Sequence, residues 1–216
     1  MNKTDAVPAR HPDGVPVRVA EDIIAAGAFV SAKGWTPATA GNLSARVDGG
    51  AMAITASGVD KGSLRSPDVL LFDLAAGKVL GGLAASAETA LHVERYTADA
   101  AVGAVVHVHA RNATVLSMVD ASHEIRLEGY ELLKALDGIR THETGVAVPV
   151  FANTQDMDAL ARDVRARLAD AGPRFGYLLA GHGLYAWGRT MADALRHTEA
   201  LEFLLGCELE RRKVMR

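Results

Sequence analysis

The pair His107-Val108-His109 closes the apolar run Val102-Gly103-Ala104-Val105-Val106. A run of that length, rich in β-branched residues, predicts a buried strand over residues 102–109. Side chains two apart on a strand leave the same face, so the two imidazoles can converge on one point. Two buried imidazoles are good ligands for a borderline metal such as zinc. A pair of ordinary core histidines would look the same. What separates the two readings is a third histidine, His182, in Gly176-Tyr-Leu-Leu-Ala-Gly-His-Gly-Leu-Tyr-Ala-Trp-Gly188. There a short apolar strand runs into a Gly-His-Gly turn, and a second strand follows. Flanking glycines permit unusual backbone angles and close approach of another segment. Three neutral imidazoles with an open position suit a catalytic metal. The other five histidines lack this context: His11 lies near the N-terminus, His123 and His142 in loops, His92 and His197 on helices.

The 216 residues predict one domain over 18–216, preceded by a polar, proline-containing and flexible tail over 1–17. A net charge of −3 argues against nucleic acid or an anionic membrane surface as partner. No segment has the length and apolarity of a membrane span or of a signal peptide. The single cysteine, Cys207, has no internal partner for a disulfide, which fits a reducing cytoplasm.

Along the chain, residues 19–33 carry a helical apolar stripe interrupted by Gly27. Residues 42–47 and 51–55 read as a hairpin around Asp48-Gly49-Gly50, and 69–74 with 78–80 as a second strand pair. Helices are predicted from Ser86 to about Ala98, over 111–119 and over 128–136. A strand over 145–151 contains Pro149, which places it near a sheet edge or end. Asn153 is the expected cap of a helix reaching about Ala171, and Thr190 with Asp193 starts the last helix. Hairpin-linked strands mixed with helices point to a mixed or antiparallel sheet covered by helices. They do not fit a Rossmann fold, and no Gly-x-Gly-x-x-Gly occurs.

Three segments read as site loops. Gly41-Asn42-Leu43-Ser44 is polar and leads into a strand, and Thr55-Ala-Ser57-Gly58-Val-Asp-Lys61-Gly clusters hydroxyls, glycines and one cation. Such loops offer donors to an anion, most naturally a phosphate, although each alone could be a solvated turn. Ser86-Ala87-Glu88-Thr89 puts a hydroxyl and an acid at a helix start, where the dipole favours negative charge; plain capping by Ser86 is the alternative. Glu131 stands among apolar residues, where its pKa could rise towards that of a general acid, unless it is a surface glutamate.

These motifs, in this order, resemble class II aldolases and their relatives. Ser57-Gly-Val-Asp-Lys-Gly62, Ser86-Ala-Glu-Thr89, Gly129-Tyr-Glu-Leu-Leu-Lys-Ala-Leu136, Val148-Pro-Val-Phe-Ala-Asn-Thr-Gln-Asp-Met157 and His182-Gly-Leu-Tyr-Ala-Trp-Gly188 look most like the branch that dehydrates methylthioribulose 1-phosphate in methionine salvage. The resemblance spans residues 19–212. It implies a three-layer α/β/α, class II aldolase-like fold with a mainly antiparallel sheet, and a homotetramer with sites close to subunit contacts. It implies one Zn2+ per subunit on His107, His109 and His182, and phosphate against Asn42, Ser57, Gly58 and Ser86 with Lys61 nearby. Glu131 would be the acid/base and Glu88 a supporting residue. Two alternatives stay open: an aldolase or epimerase acting on another sugar phosphate, and a non-catalytic module like the adducin head domain.

Overall fold

The computed structural model describes residues 10–11, 14–47, 50–81, 83–119, 122–169 and 174–215. In chain order the elements are α1 (Val17–Ala32), β1 (Asn42–Val47), β2 (Ala51–Thr55), β3 (Val69–Asp73), β4 (Lys78–Leu80), α2 (Thr89–Ala98), β5 (Ala104–Val108), α3 (Arg111–Val119), β6 (Glu124–Glu128), β7 (Gly145–Phe151), α4 (Met157–Ala169), β8 (Gly176–Leu179), β9 (Gly183–Gly188) and α5 (Met191–Val214). The strands form one nine-stranded sheet in the order β4-β3-β2-β1-β5-β9-β8-β7-β6. Every neighbouring pair is antiparallel except β7 with β8.

Period-2 alternation builds two cores, one on each face of this sheet. On β5, Ala104, Val106 and Val108 join a cluster with Ile23 of α1, Leu116 of α3 and Leu201 of α5. Val105, between them, faces the opposite cluster with Leu91 of α2 and Leu160 of α4. Strand β9 divides the same way, Leu184 and Ala186 to the first face, Tyr185 and Trp187 to the second. The architecture is therefore three layers, α/β/α, as expected. Among the described residues no helix is long and apolar enough to cross a membrane.

Both expected hairpins form, although Asp48 and Gly49 of the first turn lie outside the described residues. Val15, near the end of the expected tail, is buried in the core, and Arg10 bridges to Pro16. The helix expected over 128–136 is corrected. Residues 124–128 form β6, and only a short 3-10 segment, Glu131–Ala135, follows. In β6, Ile125 and Leu127 point into the core between outward Glu124, Arg126 and Glu128, a strand period that helix-forming residues downstream obscure. Strand β7 is one place in from the edge, and Pro149 pairs with Glu124, the first residue of β6. The cap of α4 is Asp156, whose Oδ1 accepts from the Ala159 amide at 2.9 Å, so Asn153 is left for another role. The expected end near Ala171 lies outside the described residues. Thr190 caps α5 as predicted, accepting from the Asp193 amide at 3.1 Å.

Candidate metal centre and substrate pocket

Strand β5 is central, flanked by β1 and β9, and its register sets Asn42 and Tyr185 on either side of His107. The Tyr185 ring stacks on the His107 imidazole with centroids 4.0 Å apart and planes 13° apart. His107 is wholly buried, and its Nδ1 donates to the Leu184 carbonyl at 3.1 Å. A carbonyl only accepts, so that bond puts the proton on Nδ1 and leaves the Nε2 lone pair pointing into the site.

His109 follows the strand, its amide bonded to the Trp35 carbonyl at 2.9 Å. His182 arrives from the turn between β8 and β9. Gly181 holds φ at +67°, and a Cβ on Gly183 would stand 2.2 Å from the Val108 carbonyl oxygen. The glycine bracket thus lets this turn press against the end of β5. The carbonyl of His182 is held by the Thr114 hydroxyl at 3.0 Å, and its Nδ1 lies 3.3 Å from Asn153 Oδ1.

The three Nε2 atoms meet. His109 Nε2 is 3.1 Å from that of His107 and 3.0 Å from that of His182. Glu88 completes the group, its Oε1 at 3.0 Å from His182 Nε2 and its Oε2 at 3.6 Å from His107 Nε2. All four ligand atoms lie within 4.8 Å of one another. Nitrogens around a tetrahedral ion at metal–nitrogen distances of about 2.0–2.1 Å stand roughly 3.3 Å apart, close to the spacings found here. Burial pushes the His107 imidazole well below its usual pKa and lowers that of His109, so both are kept neutral. The donor set therefore fits a divalent metal.

Burial alone would raise the Glu88 carboxyl, but the His182 hydrogen bond, the His107 and His182 rings and the Asn42 amide together hold it well below the usual carboxylate range. The expected direction holds. The dominant lowering influence is the imidazole cluster, where the helix dipole was expected. Glu88 sits one residue before α2, and its own amide donates to Ser86 Oγ at 3.2 Å.

A cavity of about 540 Å³ opens over this cluster. Asn42, Ser57, Gly58, Ser86, Glu88, His109 and His182 all line it, so the structure gathers most of the predicted site residues in one place. Lys61 is placed differently. Its side chain is only 1% exposed, and Nζ donates to the carbonyls of Thr39 and Val59 at 2.9 and 2.6 Å.

Glu131 stands apart from the cavity, on a separate groove with Tyr130, Leu132 and Phe203. It is paired with Lys134 and with His142, and the Lys134 hydrogen bond lowers its pKa. The rise anticipated from apolar neighbours does not occur, because the carboxylate is solvent-facing and paired with a cation.

Two site residues escaped sequence reasoning. Asn153, expected as a helix cap, lines the cavity beside His182. His92, unremarkable on its helix, is completely buried behind the metal cluster. Its ring is bonded to Ser44 Oγ at 2.7 Å on one side and to Asn42 Oδ1 on the other. Its position on α2, one turn after Glu88, is the only trace of this in the sequence.

The model of the class II aldolase and adducin N-terminal domain matches residues 21–209. Methylthioribulose-1-phosphate dehydratase of Marinobacter nauticus is 52% identical over 198 residues, covering 91% of this chain and 95% of the relative. The dehydratase of the same name from Pseudomonas syringae pv. tomato is 49% identical, covering 92% and 97%. Among solved structures, an L-fuculose 1-phosphate aldolase superposes with a TM-score of 0.77 at 25% identity, covering 92% of this chain and 88% of that one. The L-fuculose-1-phosphate aldolase of Thermus thermophilus gives 0.71 at 29% identity, covering 92% and 96%. The fold, the histidine cluster and a match along almost its whole length place this chain in the class II aldolase and adducin N-terminal domain family.

Proposed function

We propose that the protein is a zinc-dependent dehydratase converting 5-methylthioribulose 1-phosphate to 2,3-diketo-5-methylthiopentyl 1-phosphate and water, a step of methionine salvage in the cytoplasm. The observation that carries this reading is full-length similarity at about half identity to dehydratases of that name, in a chain that keeps the complete histidine cluster. The aldolase structures are more distant in sequence, at 25 and 29% identity. A non-catalytic module has no use for three converging imidazoles.

In this reading His107, His109 and His182 hold one Zn2+ per chain, with Glu88 beside it as a supporting residue. A zinc ion held by these residues would supply Lewis acidity to the substrate, making the C3 proton easier to remove. In this reading the phosphate lies against Asn42, Ser57, Gly58 and Ser86, which line the cavity, with Lys61 nearby. A Glu88 carboxyl held ionised suits a base or a metal-proximal ligand better than an acid.

The chemistry breaks two bonds. The C3–H electron pair becomes the C3–C4 double bond as the C4–O bond breaks, the hydroxyl leaves with a proton as water, and the enol relaxes to the diketone. Glu131 is assigned to this proton transfer, either from C3 or to the departing C4 hydroxyl. Its groove shares no residue with the cavity over the histidines, so in this reading it serves the cavity of another chain. That requirement favours a homo-oligomer, a tetramer in this reading, with each active site completed by a neighbour.

The test is to incubate zinc-loaded protein with methylthioribulose 1-phosphate and follow the diketone. Diketone formation is the expected result. Cleavage between C3 and C4 to a three-carbon ketose phosphate would instead make the protein an aldolase.

A further inference from the structure

Among the described residues Lys61 is the only buried lysine, and its surroundings explain why it is kept there. Helix α1 approaches its backbone so closely that a Cβ on Gly27 would stand 2.5 Å from the Lys61 carbonyl oxygen. The ammonium is directed away from solvent and donates to two main-chain carbonyls, of Thr39 and Val59. The nearest acid in sequence, Asp60, instead accepts from the Gly62 amide at 2.9 Å. Burial lowers the Lys61 pKa, partly offset by the charges of Asp60 and Glu88.

Those two carbonyls belong to two separate loops at the cavity. Thr39 is one of its lining residues, and Val59 directly follows two others, Ser57 and Gly58. The Thr39 loop is strained. Ala38 and Thr39 both have positive φ, 51° and 66°, a conformation unfavourable for any side chain and most of all for a β-branched one. Such strain persists only where the surroundings over-determine it. The Lys61 bond to the Thr39 carbonyl is one such restraint.

We propose that Lys61 is a positioning residue for the anion-binding end of the cavity, tying the Thr39 loop to the loop that carries Ser57 and Gly58 through the Thr39 and Val59 carbonyl oxygens and acting on the ligand through those loops. This rests on the reading that this end of the cavity takes the phosphate. It replaces direct contact between the ammonium and the phosphate with control of the loops that make the contact.

The test couples Lys61 to the strain it holds. Glycine populates the left-handed region freely, so Thr39→Gly removes the conformation that needs restraint. Binding of inorganic phosphate to the zinc-loaded protein is measured by calorimetry for the wild type, Lys61→Met, Thr39→Gly and the double variant. Lys61→Met is expected to weaken phosphate about tenfold with Thr39 present, and about threefold or less in the Thr39→Gly background. Amide exchange in the ligand-free protein should quicken over residues 39–41 and 57–60 in Lys61→Met. Equal losses in both backgrounds, with unchanged exchange, would show direct contact and overturn the proposal. If the wild type binds no phosphate, the reading of this end as a phosphate site fails. The exchange comparison then decides the clamp: quickened exchange in both loops upholds it, unchanged exchange overturns it. If Lys61→Met does not fold, Lys61→Gln, which keeps one donor group, takes its place in the same comparisons.

Discussion

The amide of Asn42 is held between the Glu88 carboxylate and the ring of His92. Tyr96 is bonded to Ser44 Oγ at 2.9 Å, Ser44 to His92 Nδ1 at 2.7 Å, and His92 Nε2 to Asn42 Oδ1. Asn42 Nδ2 then donates to Glu88 Oε2 at 2.7 Å. A carboxylate only accepts, so Asn42 must present its NH2 to Glu88 and its oxygen to His92, which puts the His92 proton on Nε2. Polarity is thereby set along a buried chain running from α2 to the metal cluster.

His92→Phe keeps the volume and removes the bond that orients Asn42. The Glu88 carboxylate then depends on an amide free to turn. Loss of one hydrogen bond to a charged group is worth about 1.5 kcal/mol, or roughly a tenfold fall in kcat/KM. Steady-state kinetics with metal content measured in parallel checks this. Unchanged kcat/KM at full metal content would mean that Asn42 needs no such restraint.

Burial, opposed by the Glu88 charge, pushes the His92 imidazole down to about 4 from an ordinary 6.5. Below pH 6.5 the unfolded chain therefore takes up a proton that the folded chain refuses. The stabilisation is complete above pH 6.5 and is lost as pH falls through about 4. The difference amounts to about 3 kcal/mol in all. Urea unfolding of wild type and His92→Phe at pH 7 and pH 4.5 should show the stability gap narrowing by about 2–3 kcal/mol, because the phenyl ring does not titrate. Parallel pH curves for the two proteins would contradict the assignment.

Local periodicity made the clustered histidines legible. His107 and His109 announce themselves because a strand repeats every two residues, and His182 because glycines bracket it. The hairpins at β1–β2 and β3–β4 were readable for the same reason: their signals are contained in a dozen residues. His92 was not readable, because what makes it matter is Asn42 and Ser44, about fifty residues away in sequence, where α2 meets β1. How Lys61 is held was not readable either. A lysine in a glycine- and serine-rich loop suggests an anion nearby, but only the packing of α1 over its backbone shows that the ammonium is bonded to two main-chain carbonyls. Asn153 carried a capping signal that Asp156 fulfils instead.

The histidine cluster predicts a protein that loses metal and activity together. His107→Ala removes the ligand whose Nδ1 is tied to Leu184 and whose ring is stacked on Tyr185, so no other side chain can take its place. Metal analysis should find about one zinc per wild-type chain and almost none in the variant, with turnover reduced to background. Chelator-treated wild type should behave likewise and recover when zinc is restored. Full turnover by metal-free protein would sink the metal assignment.

The separation of Glu131 from the cavity yields the last prediction. Glu131→Gln keeps the shape of the side chain and removes its ability to transfer a proton, so kcat should fall by about 10²–10⁴ with zinc retained. Glu131 and the histidines occupy different surfaces of one chain. A Glu131→Gln chain therefore still has an intact metal cluster, and a His107→Ala chain still has an intact Glu131. Mixed within one oligomer, by co-expression or by unfolding and refolding together, the two inactive variants should assemble some sites with zinc from one chain and Glu131 from the other. Activity should reappear in the mixture at a sizeable fraction of wild type. If the mixture stays as inactive as its components although hybrid oligomers are shown to form, Glu131 does not act across chains. If Glu131→Gln alone turns over normally while Glu88→Gln is dead, the proton transfer belongs to Glu88.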